Sequence, residues 1–253
     1  MCANFAGASG EDSKKNKLQP YLKKTWCSGE IKATFLFRME RILAVYARPD
    51  NPKTPVICYD ERPYFLMGEL VQGCAMNAEQ VKKEPSADEK LGSCNLLATL
   101  EPWTGKRLVE VCAQRRKSAF AQPFQKVEAA FPGAEKITVI LDNLNPHNES
   151  SFDETFAAGE AKRLSEKFEF IYTPPKASWL KMLELEFSAL SRLCLDRRIA
   201  SQADIERQVL ARVKERTEKA VKIHWQFSLE KAHTKLNRHY KNVHLDNAQY
   251  LQT

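Results

Sequence analysis

The chain has 253 residues, 43% of them hydrophobic, and a formal net charge of +7. That length suits one large domain or one domain with an appendage, and the apolar share builds a real core, which excludes global disorder. No stretch approaches the roughly eighteen consecutive apolar residues of a membrane span, and the first residues, MCANFAGASGEDSKKNK, lack the apolar centre of a signal peptide, so the expected compartment is the cytoplasm.

Residues 1–17 carry no periodicity and read as a disordered tail. A linker helix region follows at 18–54, with a helix from about 29 to 47 whose Phe35, Met39, Ile42 and Leu43 share one face. RPDNPKTP breaks it, and PVICYDE (55–61) is a short strand, apolar on both faces and ending at Asp60. Residues 72–93 read as a polar insertion. NLLATLEP and RLVEVCAQ, joined by WTGK, form a hairpin. SAFAQPFQKVEAAF is helical despite Pro123, KITVILDN is a second two-sided strand, 158–167 is helical, and FEFIYTPP is a strand closed by prolines. One helix is expected from Ser178 to about Leu195, with Trp179, Leu180, Leu183, Phe187, Leu190 and Cys194 as its apolar stripe. Two more follow, the first N-capped by Ser201 and the second over SLEKAHTKLNRHY. The order fits an α/β, ribonuclease H-like mixed sheet flanked by helices. The catalytic domain then spans 55–200, and 201–253 is a helical C-terminal extension.

Seven cysteines at 2, 27, 58, 74, 94, 112 and 194 form no CxxC pair. They read as buried thiols rather than as disulfides or zinc ligands. Charge is segregated: residues 11–48 hold nine Lys/Arg against four Asp/Glu, 49–175 hold 15 against 19, and 176–253 hold 15 against nine. Basic ends suit a polyanion such as nucleic acid, and an acidic middle suits a carboxylate site that takes a cation, although from charge alone a solvated surface with uneven charge is the preferred reading.

Asp60 and Asp142 each follow a strand, and in an α/β sheet such ends meet at a crevice. A third acid comes from the helix after Ser178, where Glu184 and Glu186 lie on opposite edges of the apolar stripe and periodicity does not choose between them. Three clustered carboxylates repel one another, and divalent cations resolve the repulsion. Hard oxygen ligands favour Mg2+ or Mn2+, and two such ions clamp an in-line phosphoryl displacement. The plainer reading is that Asp and Asn after a strand favour turns and that Glu on a helix edge is ordinary.

VICYDERP, VILDNLNPHN and YTPPKASWLKMLELEFSAL, taken in order, resemble the three catalytic blocks of DDE transposases, in the insertion-sequence branch of the Tc/mariner superfamily. The resemblance extends over about residues 17–240. It implies Asp60, Asp142 and Glu184 as catalytic and metal-binding residues, with Glu186 flanking. Asn143, His147 and Lys181 are possible supporting residues: Asn143 bracing the turn, His147 shaping the loop by a hydrogen bond, and Lys181 pairing with Glu184 or touching a phosphate. Trp179 is expected in the core. The implied activity is DNA strand cleavage and strand transfer at insertion-sequence ends, with two Mg2+ or Mn2+ ions as the expected cofactor. The implied partners are double-stranded DNA and, as a homodimer, a second copy, with no membrane, in a bacterial cytoplasm and at the nucleoid when on DNA. Lys181 stands where the family usually has Asn, Pro146 where Thr is commoner, and no tandem helix-turn-helix region is evident before Phe35. A truncated, non-catalytic remnant that binds DNA non-specifically or pairs with full-length copies is therefore the alternative.

Overall fold

The structure, a computed structural model, describes residues 31–69, 88–113, 117–142 and 150–250. Helix α1 (Ala33–Tyr46) buries Leu36, Met39, Ile42, Leu43 and Val45, the spacing of one helical face. It leads into a five-stranded sheet of β1 (Val56–Glu69), β2 (Asp88–Leu100), β3 (Arg107–Cys112), β4 (Ile137–Leu141) and β5 (Phe168–Tyr172), ordered β3-β2-β1-β4-β5. β1–β2 and β2–β3 are antiparallel, while β1–β4 and β4–β5 are parallel. The crossovers that parallel pairing requires are α2 (Lys117–Ala130) between β3 and β4, and α3 (Ser150–Thr155) with α4 (Ala158–Lys167) between β4 and β5. An antiparallel trio extended by two parallel strands through helical crossovers is the ribonuclease H-like arrangement.

Side-chain alternation assigns the two faces of the sheet. Ile57, Tyr59, Ile137, Val139, Leu141, Phe168 and Phe170 point to the side covered by Phe120, Phe124 and Val127 of α2, Phe152 of α3 and Leu164 of α4. Phe124 is the hub, with ring centroids 5.0–5.6 Å from those of Tyr59, Phe120, Phe152, Phe168 and Phe170. That packing outweighs the helix hydrogen bond lost at Pro123. On the opposite face, Cys58 meets α1 through the Tyr46 hydroxyl, 3.2 Å from its Sγ. Cys58, Cys94, Cys112 and Cys194 are free thiols, as the spacing implies.

Three expectations fail in instructive ways. β1 does not stop near Asp60 but runs to Glu69: Val56–Cys58 pair with β4, Cys58 is the residue paired on both sides, and beyond it the strand continues on β2 alone, an edge where Pro63 is tolerated. The insertion assigned to 72–93 ends in strand: Asp88–Ser93 pair with β1, and a register shift at Leu66/Met67 leaves Leu91 as the extra residue beside Gly92, whose φ is +146°. The long helix from Ser178 is broken into a 3-10 turn (Ser178–Leu180), α5 (Leu183–Leu190) and a π turn (Ser191–Leu195), with Lys181 extended at φ −79°, ψ 122°. Trp179 consequently leaves the apolar stripe and is 49% exposed, its ring 5.4 Å from Phe227, so it is not a core residue.

The remaining helices are α6 (Gln202–Glu218) and α7 (Leu229–Tyr250). Ser201 caps α6 as expected, its hydroxyl accepting from the Asp204 N–H at 3.1 Å. α6 is tied to β3 by Gln202 Nε2 donating to the Val111 carbonyl. The β2–β3 turn also forms as expected, with Glu101 accepting from the Trp103 and Thr104 N–H groups and Gly105 at φ +80°. No helix among the described residues is long and apolar enough to cross a membrane.

Candidate functional site

The parallel register builds the site. Val56, Ile57 and Cys58 pair with Thr138, Val139 and Ile140, so continuing the register by two residues sets Asp60 beside Asp142. Leu141 pairs with Tyr172, and the next step sets Asp142 beside Thr173. The side chains follow this row: the Thr173 hydroxyl donates to Asp142 Oδ1 at 2.7 Å, and the Glu61 backbone N–H donates to Asp60 Oδ1 at 2.9 Å. Thr173 is a site residue that the sequence reading missed. Its signal was available, since it directly follows FEFIY and so occupies the strand-end position of Asp142 one strand over.

Lys181 closes the row. Its ammonium is fully buried and forms ion pairs with both aspartates, 2.7 Å from Asp60 Oδ1 and 2.8 Å from Asp142 Oδ2. Its partners are thus the two aspartates rather than Glu184, the pairing expected from the sequence. The break in the helix explains the difference: with Lys181 extended, its side chain leaves the helical wheel on which that expectation rested. Two bonds through Tyr46 pin the break, its hydroxyl donating to the Leu180 carbonyl at 2.9 Å and accepting from the Met182 N–H at 3.4 Å.

Glu184 and Glu186 have different surroundings. Glu186 is buried in an ion cluster, with Arg107 Nε at 3.0 Å and Arg216 Nε and Nη2 at 2.8 and 2.9 Å. Burial works to raise its pKa, but Arg216 and Arg107 outweigh this and hold the carboxyl below the usual range. Glu184 is partly exposed, and its charge is felt at Asp60. Among the described residues its carboxylate has no ion-pair partner. Asp60 itself is raised to about 6. Burial is the largest cause, the Lys181 ammonium opposes it, and the charges of Asp142 and Glu184 add to it. Asn143, Asn145, Pro146 and His147 lie outside the described residues.

Among the described residues, no three His, Cys, Asp or Glu side chains close around one point as the ligands of a metal would. The donor chemistry nonetheless fits a hard divalent cation, because the row offers oxygen donors, the two aspartates and the Thr173 hydroxyl, and a cation, the Lys181 ammonium, already stands between the aspartates.

The sheet order, the parallel register and the paired aspartates define a ribonuclease H-like domain of the kind that carries acidic phosphoryl-transfer sites. The DDE superfamily endonuclease family matches residues 55–206, well over half the chain, and the chain belongs to that family. Among solved structures, a pre-cleavage Mos1 transpososome is 12% identical over 85% of this chain and 70% of its own, with a TM-score of 0.49. The catalytic domain of Mos1 mariner transposase is 12% identical over 78% of this chain and 96% of its own, with a TM-score of 0.45. The HTLV-2 integrase catalytic core domain in complex with magnesium is 13% identical over 63% of this chain and 87% of its own, with a TM-score of 0.37. A search among curated proteins finds no match.

Proposed function

We propose that this chain is the catalytic core of a DDE transposase that cleaves and transfers DNA strands at insertion-sequence ends, with Asp60, Asp142 and Glu184 as its catalytic and metal-binding residues. The observation that carries the reading is the placement of Asp60 and Asp142 side by side around one cation, next to a third acid that is not committed to a structural pair. Glu186 is already engaged by two arginines, which favours Glu184 as the third acid. When bound, Mg2+ or Mn2+ supplies the Lewis acidity that phosphodiester cleavage requires. Thr173 and the Glu61 N–H fix the rotamers of Asp142 and Asp60, so two of the ligands are oriented before any cation arrives. Tyr46 holds the Leu180–Met182 backbone and thereby the start of α5, from which Glu184 projects.

Double-stranded DNA is the proposed partner. Lys231, Lys235 and Arg238 recur at helical spacing on α7, opposite His233 and Tyr240, which face Glu40 of α1. Lys235 lies over the Phe227 ring, which in turn meets Trp179, two residues before Lys181. Through Phe227 and Trp179, α7 is thus in contact with the segment that carries Lys181. Pairing of two copies, and action in the bacterial cytoplasm, belong to the same reading.

The second reading is a folded remnant that binds DNA without cutting it. It is favoured by Lys181, whose ammonium already offsets one of the two aspartate charges and stands between them. Supercoiled plasmid incubated with the chain and Mg2+ or Mn2+ separates the two. Nicking that stops with chelator and with Asp60→Ala or Glu184→Gln supports the transposase core. DNA retention without nicking under any divalent ion supports the remnant.

A further inference from the structure

We propose that Lys181 is a permanent cation of the carboxylate centre, so that the site takes one divalent ion rather than two. The inference rests on the metal-dependent reading above and concerns how many ions that site admits.

The first ground is occupancy. The ammonium stands within 2.8 Å of one oxygen of each aspartate, which is the place an ion bridging both would need. Three of the four aspartate oxygens are engaged: Asp60 Oδ1 by Lys181 and the Glu61 N–H, Asp142 Oδ2 by Lys181, and Asp142 Oδ1 by Thr173. Among the described residues, Asp60 Oδ2 and the Glu184 carboxylate remain unengaged and Asp142 Oδ1 keeps one lone pair beside the Thr173 hydroxyl, so all three acids could still serve one shared ion but offer too few oxygens for two.

The second ground is permanence. The Lys181 backbone N–H donates to the Ser178 carbonyl at 2.8 Å, and its own carbonyl accepts from the Glu184 N–H at 3.1 Å. Leu180, Met182 and Leu183 on either side are buried, and Tyr46 bonds the backbone before and after it. The side chain is wholly enclosed, and moving its charge out would strip an ammonium of both partners inside the protein.

The third ground is charge. Three carboxylates and one ammonium leave two negative charges, which one divalent ion neutralises. A second ion would leave two positive charges beside a fixed ammonium, a like-charge placement that a buried site resists.

The test counts ions rather than products. The metal-stripped full chain is titrated with Mn2+, with bound ions counted by calorimetry and free Mn2+ by electron paramagnetic resonance. The same titration is made on Lys181→Asn and on Lys181→Met, the latter keeping the length and apolar stem should Asn not fold. The expected result is one ion for the native chain and two for whichever variant folds, with the extra ion lost again in the double variant with Asp142→Asn. Two ions in the native chain overturn the inference while leaving the transposase reading intact. One ion in both native and variant chains overturns the role given to Lys181. No ion in any of them overturns the inference together with the metal-dependent function.

Discussion

Glu184 and Glu186 lie two residues apart on one helix, and the structure gives them opposite consequences. Glu186→Gln keeps the side-chain shape and removes its charge. Arg107, whose side chain is 0% exposed, and Arg216, at 18%, then face a neutral amide. Breaking a buried ion pair from one side costs about 3–5 kcal/mol, because the remaining charge stays desolvated. For a domain of this size, about 2–4 °C is lost per kcal/mol, so the melting temperature should fall by roughly 6–20 °C. Arg107 also donates to the Val221 carbonyl at 2.5 Å, so the loss spreads to the segment after α6. Glu184→Gln removes a partly exposed carboxylate that has no pair among the described residues, and it should change the melting temperature by little while abolishing nicking. Thermal unfolding followed by circular dichroism, with both variants at one pH, reads the contrast. A Glu186→Gln protein within 1 kcal/mol of the native one would refute the reasoning, as would a Glu184→Gln protein that loses the larger share.

Asp60 gives a pH dependence. Its pKa is raised, so the folded state binds the extra proton between about 3.8 and 6, and its contribution to stability is largest below that window and is lost as pH rises through it. The metal-free chain should lose about 3 kcal/mol from this one group. The Asp60 carboxyl carbon should titrate near 6 by NMR, and a midpoint below 4.5 would contradict the assignment. Gly105 has φ +80°, and an added Cβ would lie 2.7 Å from the Val221 carbonyl oxygen, so Gly105→Ala should destabilise by more than about 1 kcal/mol in urea unfolding, unlike Gly133→Ala, which meets nothing. Binding to random duplex DNA should have a dissociation constant on the order of 10⁻⁴–10⁻⁶ M at physiological salt, and Lys235→Ala or Arg238→Ala should each lower the slope of log affinity against log salt by about one. An unchanged slope would remove α7 from the DNA surface.

Much of the fold could be read from the sequence because its signals are local. ITVIL is apolar at every position and is a strand buried on both sides. WTGK sits between two alternating runs and is a hairpin turn. The continuation of β1 past Asp60 was hidden, because Arg62 and Pro63 look like a strand's end and only the one-sided pairing with β2 explains them. The two aspartates could be placed in the sequence, but not their shared ammonium. Periodicity assumes an unbroken helix, and the break at Lys181 depends on Tyr46, 135 positions away, which no local pattern reveals. For the same reason the helical wheel kept Trp179 in the core, whereas it is half exposed.

The most direct measurement is plasmid nicking by the native chain and Asp142→Asn side by side, in Mg2+ and in Mn2+, with equal folding verified by circular dichroism. The account predicts divalent-dependent nicking by the native chain and none above background by Asp142→Asn. Nicking that survives the substitution, or a native chain that nicks with neither ion, would contradict the assignment of this carboxylate row as a phosphoryl-transfer site.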